Sequence, residues 1–300
     1  TDDSLFGLIY TIDDGDDWQS EETWRKANPN YAVSVYPLDM RLQASKAAQV
    51  TSDQVTFLTK RLNVWCSAEQ AWMNMMKWQA QADQHLKIED FHGEDCWLGV
   101  DLASKRDMAC ISVLFRREVA GKAHWFNFVY HYLPEAAVAD AANAGLYDGW
   151  VRAGWIRTTP GSVIDIDELE AETERLSGNH YVRELAFDPG HNSTQYGLRM
   201  SNRGLIVVEV RPTVLNFSEP MKWWEAFVAD GTWHHNGDPC MTWQVSNVCV
   251  KFDAKDNIFP RKEHPDRKID GPVSTIMALN RAMASDGSAT IYDTRGVVTV

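Results

Sequence analysis

Three aspartates stand where short apolar runs end or a helical pattern begins. Asp101 follows Cys96-Trp97-Leu98-Gly99-Val100, Asp188 follows Glu184-Leu185-Ala186-Phe187, and Asp270 lies in Lys268-Ile269-Asp270-Gly271. The first two runs read as strands with a carboxylate at or just past the end. A strand buried in a core rarely carries an unpaired acid, because desolvating the charge is costly. A divalent cation removes that cost, and Mg²⁺ and Mn²⁺ prefer hard oxygen ligands of the kind aspartate supplies. Two such ions about 3.5–4 Å apart can align a water, stabilise a pentacovalent phosphate and protect the leaving oxygen. The chemistry to expect is therefore metal-dependent hydrolysis of a phosphodiester. Asp101 would bridge the ions, Asp188 would hold one and Asp270 the other. Each acid also has a plainer role: a turn acid at Asp101, a turn former before Pro189-Gly190 at Asp188, a helix N-cap at Asp270. Agreement among three remote segments favours the metal.

Other side chains could serve the same chemistry. Lys105 could neutralise the scissile phosphate, although a solvated turn lysine reads as well, and Asp107 could back the metal ligands. His191, in Asp188-Pro189-Gly190-His191-Asn192, could orient water or DNA or be a surface loop histidine. Arg261, Lys262, His264, Arg267 and Lys268 form one basic cluster just before Asp270, suited to tracking a phosphate backbone. The neighbours His234 and His235 cannot share one face of a strand; they read as a hairpin that could touch nucleic acid.

The elements that must carry these residues change character along the chain. Up to about residue 90 the pattern is mainly helical, apart from an opening apolar strand at Leu5–Thr11. Helices are expected after the N-cap Ser20, over Leu38–Val50, Ser52–Trp65 and Glu69–Gln81, the last with Trp72, Met75, Met76 and Trp78 inward. From Cys96 three strand-like runs, Cys96–Leu102, Met108–Arg116 and Ala123–Leu133, are joined by connectors short enough for an antiparallel meander. Helices are expected near Ala141–Ala153 and Asp165–Leu176. Then come strand Arg183–Phe187, helix Thr194–Asn202, strand Leu205–Val210 and helices near Phe217–Ala229 and Pro272–Ala284. That order is an α/β, ribonuclease H-like mixed five-stranded sheet with flanking helices, preceded by a mainly helical segment. In it the fourth strand lies parallel beside the first, which makes the ends carrying Asp101 and Asp188 neighbours.

The 300 residues, 44% hydrophobic, can bury a full core. A net charge of −13 argues against a sequence-independent DNA coat, yet metal-binding acids add to that count. Five cysteines, with no C-x-x-C pair, point to reduced core thiols rather than zinc. The thirteen tryptophans mostly recur at helical spacing and read as core. No stretch approaches the length of a membrane span. The chain starts on Thr1 and enters an apolar run almost at once, which suggests a piece of something longer.

Several segments together resemble the large terminase subunit of tailed bacteriophages, of the group found in phages like HK97. Asp3-Ser4-Leu5-Phe6-Gly7-Leu8-Ile9-Tyr10-Thr11-Ile12-Asp13, with Asp16-Asp17-Trp18, Trp24 and Ala27-Asn28-Pro29-Asn30, resembles the end of that family's ATPase region. Phe57 and Leu62-Asn63-Val64-Trp65 resemble its link to the nuclease. Gly99-Val100-Asp101-Leu102-Ala103-Ser104 with Asp107 is similar to the first nuclease strand. Trp243 to Asn247 and Lys268-Ile269-Asp270-Gly271 through Ala278-Leu279-Asn280-Arg281-Ala282 are similar to the closing section. The resemblance places the metal-binding acids on Asp101, Asp188 and Asp270. It implies an endonuclease that cuts concatemeric double-stranded viral DNA in the cytoplasm of a bacterial host. A small terminase subunit and the portal protein of the procapsid would be its partners. The implied organisation is the end of an ATPase region with a helical linker over 1–90, the nuclease domain over 91–285 and a flexible tail over 286–300. The phosphate loop G-x-x-x-x-G-K-[ST] is absent, so ATP hydrolysis is not expected of this chain. Rival readings are a non-catalytic remnant docking on portal or small subunit, another ribonuclease H-like nuclease or resolvase, and an actin-like sugar kinase. The kinase would need a second phosphate motif, which is not visible.

Overall fold

The computed structural model describes residues 8–13, 15–48, 51–64, 72–102, 107–139, 143–190, 193–253 and 255–285. The chain forms two compact units, Thr1–Met73 and Asn74–Val300.

The first unit is helical. Helix α1 (Glu21–Ala27) starts where the Ser20 hydroxyl accepts from the Glu22 amide, with acids in its first turn and bases in its last. Helices α2 (Pro37–Ala47) and α3 (Thr51–Arg61) follow. Their apolar faces bury Trp18, Trp24, Met40, Phe57 and Leu62 together. Residues 8–11, expected to be strand, form none, and Leu8 and Ile9 stay exposed. This stretch is held instead by Thr11 Oγ1 donating to the Leu62 carbonyl at 3.1 Å and Asn63 Nδ2 donating to the Tyr10 carbonyl at 2.9 Å.

The second unit begins at α4 (Met75–Ala80), capped by Asn74, whose side chain accepts from the Lys77 amide. Of the helix expected over Glu69–Gln81, Trp72 lies before the cap and Met76 is 49% exposed, whereas Trp78 is buried. A meander follows: β1 (Asp95–Asp101), β2 (Ala109–Val119) and β3 (Lys122–Pro134). Ala120 and Gly121 both have positive φ in the two-residue turn between β2 and β3, matching strand twist. Then come α5 (Glu135–Val138), α6 (Ala144–Arg152), β4 (Ile156–Thr159), α7 (Ile166–Asn179), β5 (Tyr181–Phe187), α8 (Ser193–Asn202) and β6 (Val207–Glu209). The chain continues through α9 (Val214–Ala229), β7 (Trp233–His235), α10 (Pro239–Asn247), β8 (Cys249–Phe252), β9 (Ile258–Arg261) and α11 (Asp270–Ser285).

The sheet runs β4-β3-β2-β1-β5-β6, and β7 pairs with the first half of β3. The five expected strands stand in the expected ribonuclease H-like order, with β5 parallel to β1. Two short parallel strands, β4 and β7, extend it on the far side of β3. Four and three residues are too few to show alternation in a sequence. The His234-His235 pair is therefore not a hairpin. His235 is buried, stacked on Trp78 and bonded to the Trp78 carbonyl, and His234 stacks on His124.

Strand parity sorts the core. Cys96, Leu98 and Val100 join Ile111, Val113, Leu169, Leu176, Tyr196 and Met200 in the core that includes α7 and α8. Gly99 and Asp101, the alternate residues, face α11. The four described cysteines, Cys96, Cys110, Cys240 and Cys249, are free and buried. Among the described residues no helix is long and apolar enough to cross a membrane.

Candidate active site

Gly99 decides how closely α11 can approach the sheet. A Cβ there would fall 1.9 Å from the Ser274 carbonyl oxygen and 2.8 Å from the Ala278 amide nitrogen. Only glycine allows this contact of helix and strand backbones. Asp101 lies two residues beyond Gly99 on the same strand face, and Asp270 lies one turn before Ser274 on the same helix face. The two acids thus project from the same end of the helix–strand contact. Next door, the parallel register pairs Val100 with Phe187, so Asp101 and Asp188 each stand one residue past the last paired position. Adjacent strands are about 4.8 Å apart, which makes these acids neighbours. Asp188 Oδ1 accepts from the Gly190 amide at 3.1 Å, an Asx turn that stops the strand.

All three acids are half-buried. Burial, then the charges of Asp270 and Asp188, push the Asp101 carboxyl well above the usual carboxylate range. Asp270 is raised to about 6, by burial first and then by Asp107, against the pull of Lys262 and Lys268. Oδ2 of Asp270 is sealed from solvent and has no hydrogen-bond partner. Among the described residues no three His, Cys, Asp or Glu side chains are already gathered closely enough to hold an ion. The acids are therefore neighbours whose oxygens have not closed on a common point.

Asp107 also acts on Asp101 and Asp270, in keeping with its sequence position. It is engaged by Lys268 Nζ at 2.5 Å and, more loosely, by Lys262 Nζ at 3.9 Å. Arg267 donates to Asn247 Oδ1 at 3.2 Å, and Asn247 Nδ2 donates to the Lys268 carbonyl at 3.1 Å. Arg261 and Lys262 are exposed at the end of β9. Lys105 and His191 lie outside the described residues.

Sequence reasoning missed a buried polar cluster beside the acids: Cys110, His131, Asp238 and Gln244, which reaches the Gly271 amide. The available signal was His131 in the apolar half of its strand, between Tyr130 and Tyr132.

The sheet is ribonuclease H-like, with acids at the ends of adjacent strands and on the first turn of a packed helix. The family described as terminase large subunit, endonuclease domain matches residues 1–286. The chain belongs to that family. It is 36% identical over 300 residues to protein YmfN of Escherichia coli K12, covering 97% of this chain and 66% of that protein. It is 24% identical over 280 residues to the terminase large subunit of Enterobacteria phage HK97, covering 91% of this chain and 54% of the other. The crystal structure of the HK97 large terminase superposes with a TM-score of 0.62 at 24% identity, over 91% of this chain and 56% of that one, a likeness of fold. The chain thus spans roughly half to two thirds of the length of these relatives.

Proposed function

We propose that residues 91–285, the larger part of the second unit, form a metal-dependent DNA endonuclease of a DNA-packaging terminase, with Asp101, Asp188 and Asp270 as ligands for two Mg²⁺ or Mn²⁺ ions. The observation that carries this reading is a sealed Asp270 oxygen left without any hydrogen-bond partner, on a helix seated against the strand that carries Asp101, with Asp188 at the end of the adjacent strand. A buried carboxylate oxygen lacking a donor is costly unless a cation takes the place of the donor. Bound there, the ions would polarise the scissile phosphate and lower the pKa of an attacking water. The Asp101 carboxyl is acted on by both Asp270 and Asp188, and it would be the ligand common to the two ions. Asp188 arrives preset by its Asx turn, and Asp270 by the seat of α11 on Gly99.

Arg261, Lys262, Arg267 and Lys268 would bind the phosphate backbone, sequence-independently, beside the acids. Lys105 and His191 belong to the same proposal by their sequence positions alone. Family membership supports double-stranded DNA as substrate, and a small terminase subunit and a portal as partners. We read the first unit, up to Met73, together with the stretch to about residue 90, as the end of the ATPase region and its helical linker.

Plasmid digestion by this chain tests the reading. Nicking is expected with Mn²⁺, none with chelator, and none for Asp101→Asn in either condition. A folded protein that leaves plasmid intact in Mn²⁺ would favour a docking remnant instead, and equal nicking by Asp101→Asn would remove that residue from the ligand set.

A further inference from the structure

The buried cluster beside the acids is continuous with them through the sheet. Asp101 pairs with Cys110 on β2, and Cys110 pairs with His131 on β3, so the three side chains stand in one row facing α10 and α11. His131 and Gln244 are fully buried, and Asp238 is 3% exposed.

One backbone amide assigns the donors of Gln244 and His131. The Gly271 N–H is among the first amides of α11, which have no partner inside their own helix. It donates to Gln244 Oε1 at 2.8 Å. The Gln244 amide is thereby oriented, with its nitrogen toward His131 Nδ1 at 3.1 Å. Nδ1 must accept, so the ring proton sits on Nε2, which donates to Asp238 Oδ2 at 2.8 Å. The other oxygen of Asp238 accepts from the amides of Cys240 and Met241 at 2.8 and 3.1 Å and caps α10, the helix that carries Gln244. The Cys110 thiol lies 3.3 Å from the same Nδ1. Packing closes the clamp. A Cβ on Gly271 would come within 2.9 Å of Met241 Sδ, 3.2 Å of His131 Cε1 and 3.3 Å of Gln244 Oε1.

We propose that Gln244, held in orientation by His131 and Asp238, is the positioning residue for Asp270. It takes the amide next to Asp270, and the sealed Asp270 oxygen has no hydrogen bond of its own to fix it. The inference rests on the metal-ligand reading of Asp270. Loss of a group that orients a metal ligand typically weakens metal binding by about 10–100-fold.

Calorimetric titration of the full chain with Mn²⁺ tests this directly, with no recourse to cleavage. Gln244→Met keeps length and bulk but removes the acceptor. It should bind Mn²⁺ at least about tenfold more weakly than the parent while melting cooperatively without metal. Gln244→Glu keeps an acceptor facing Gly271 and, with His131 protonated at Nδ1 so that the ring donates to the second carboxylate oxygen, keeps the orientation; it should bind at least as tightly as the parent. Parental affinity in Gln244→Met overturns the proposal. If that variant does not fold, Gln244→Glu decides, and weakened binding in the folded glutamate variant overturns it. Asp101→Asn separates the two levels. If it binds Mn²⁺ as the parent does, or the parent binds none, the metal reading itself fails. A parent that binds, an Asp101→Asn that does not and a Gln244→Met that does would sink only the role of Gln244.

Discussion

At Asp101, burial and the carboxylates of Asp270, Asp188 and Asp107 all disfavour the charged form, and Lys262 alone opposes them. Asp270 is raised in the same sense, from an ordinary 3.8 to about 6. An acid whose folded-state pKa is raised holds its proton more tightly when folded than when unfolded. Its contribution to stability is present at low pH and is lost as pH climbs from the unfolded value through the folded one. For Asp270 that window runs from about 4 to about 6. The melting temperature of the metal-free protein should therefore carry a falling component across this window. Asp101→Asn should flatten that component and melt at or above the parent at pH 7. Mn²⁺ should raise the melting temperature of the parent and leave that of Asp101→Asn unchanged, because a ligand stabilises only a state that binds it. Parallel pH curves for the two proteins would contradict this electrostatic picture. The positions of the acids were legible in the sequence because Asp101 and Asp188 stand at the ends of strand-like runs and Asp270 opens a helical pattern. Gln244 was not, since its meaning comes from His131, Asp238 and Gly271, which stand far from one another along the chain and meet only through the sheet.

The elements bring those residues together mainly through one contact, α11 on β1. With a Cβ at Gly99 only 1.9 Å from the Ser274 carbonyl, the neighbour is helix backbone and cannot rotate away. Gly99→Ala should cost about 3 kcal/mol, the upper end of the usual overpacking penalty, read as a lower urea midpoint. An unchanged midpoint would mean that α11 does not sit on the strand this closely. The segment Cys96–Leu102 reads as a strand from its alternation, but nothing local says that its glycine is there for a helix 175 residues later. Long or strongly patterned elements were legible: the meander, β5, and helices such as α7 with its Asp165 cap. Short ones were not. β4 and β7 owe their strand geometry to the long β3 that templates them, and His234-His235 reads locally as a hairpin because pairing with β3 has no local signature. Residues 8–11 mislead in the opposite direction: β-propensity without a pairing partner makes no strand and leaves Leu8, Ile9 and Tyr10 exposed.

Over the whole molecule, a net charge of −13 repels DNA, so binding has to be local. The exposed basic residues beside the acids, Arg261 and Lys262, are the ones least committed to protein partners; Lys268 is bound to Asp107 and Arg267 to Asn247. Replacing Arg261 and Lys262 by alanine should weaken binding to duplex DNA. It should also lower the salt-dependence slope by about 0.9 for each phosphate that is no longer neutralised. An unchanged slope would make the cluster a bystander. Composition showed only that an acidic protein could be a nuclease; the basic cluster before Asp270 was legible in the sequence, and the fold adds which of its members are engaged by protein partners. The whole account depends on a pair of cations held among Asp101, Asp188 and Asp270. Anomalous diffraction from crystals soaked in Mn²⁺ tests this most directly. The expected result is manganese density coordinated by oxygens of all three aspartates. No manganese there, or density confined to other residues, would contradict it.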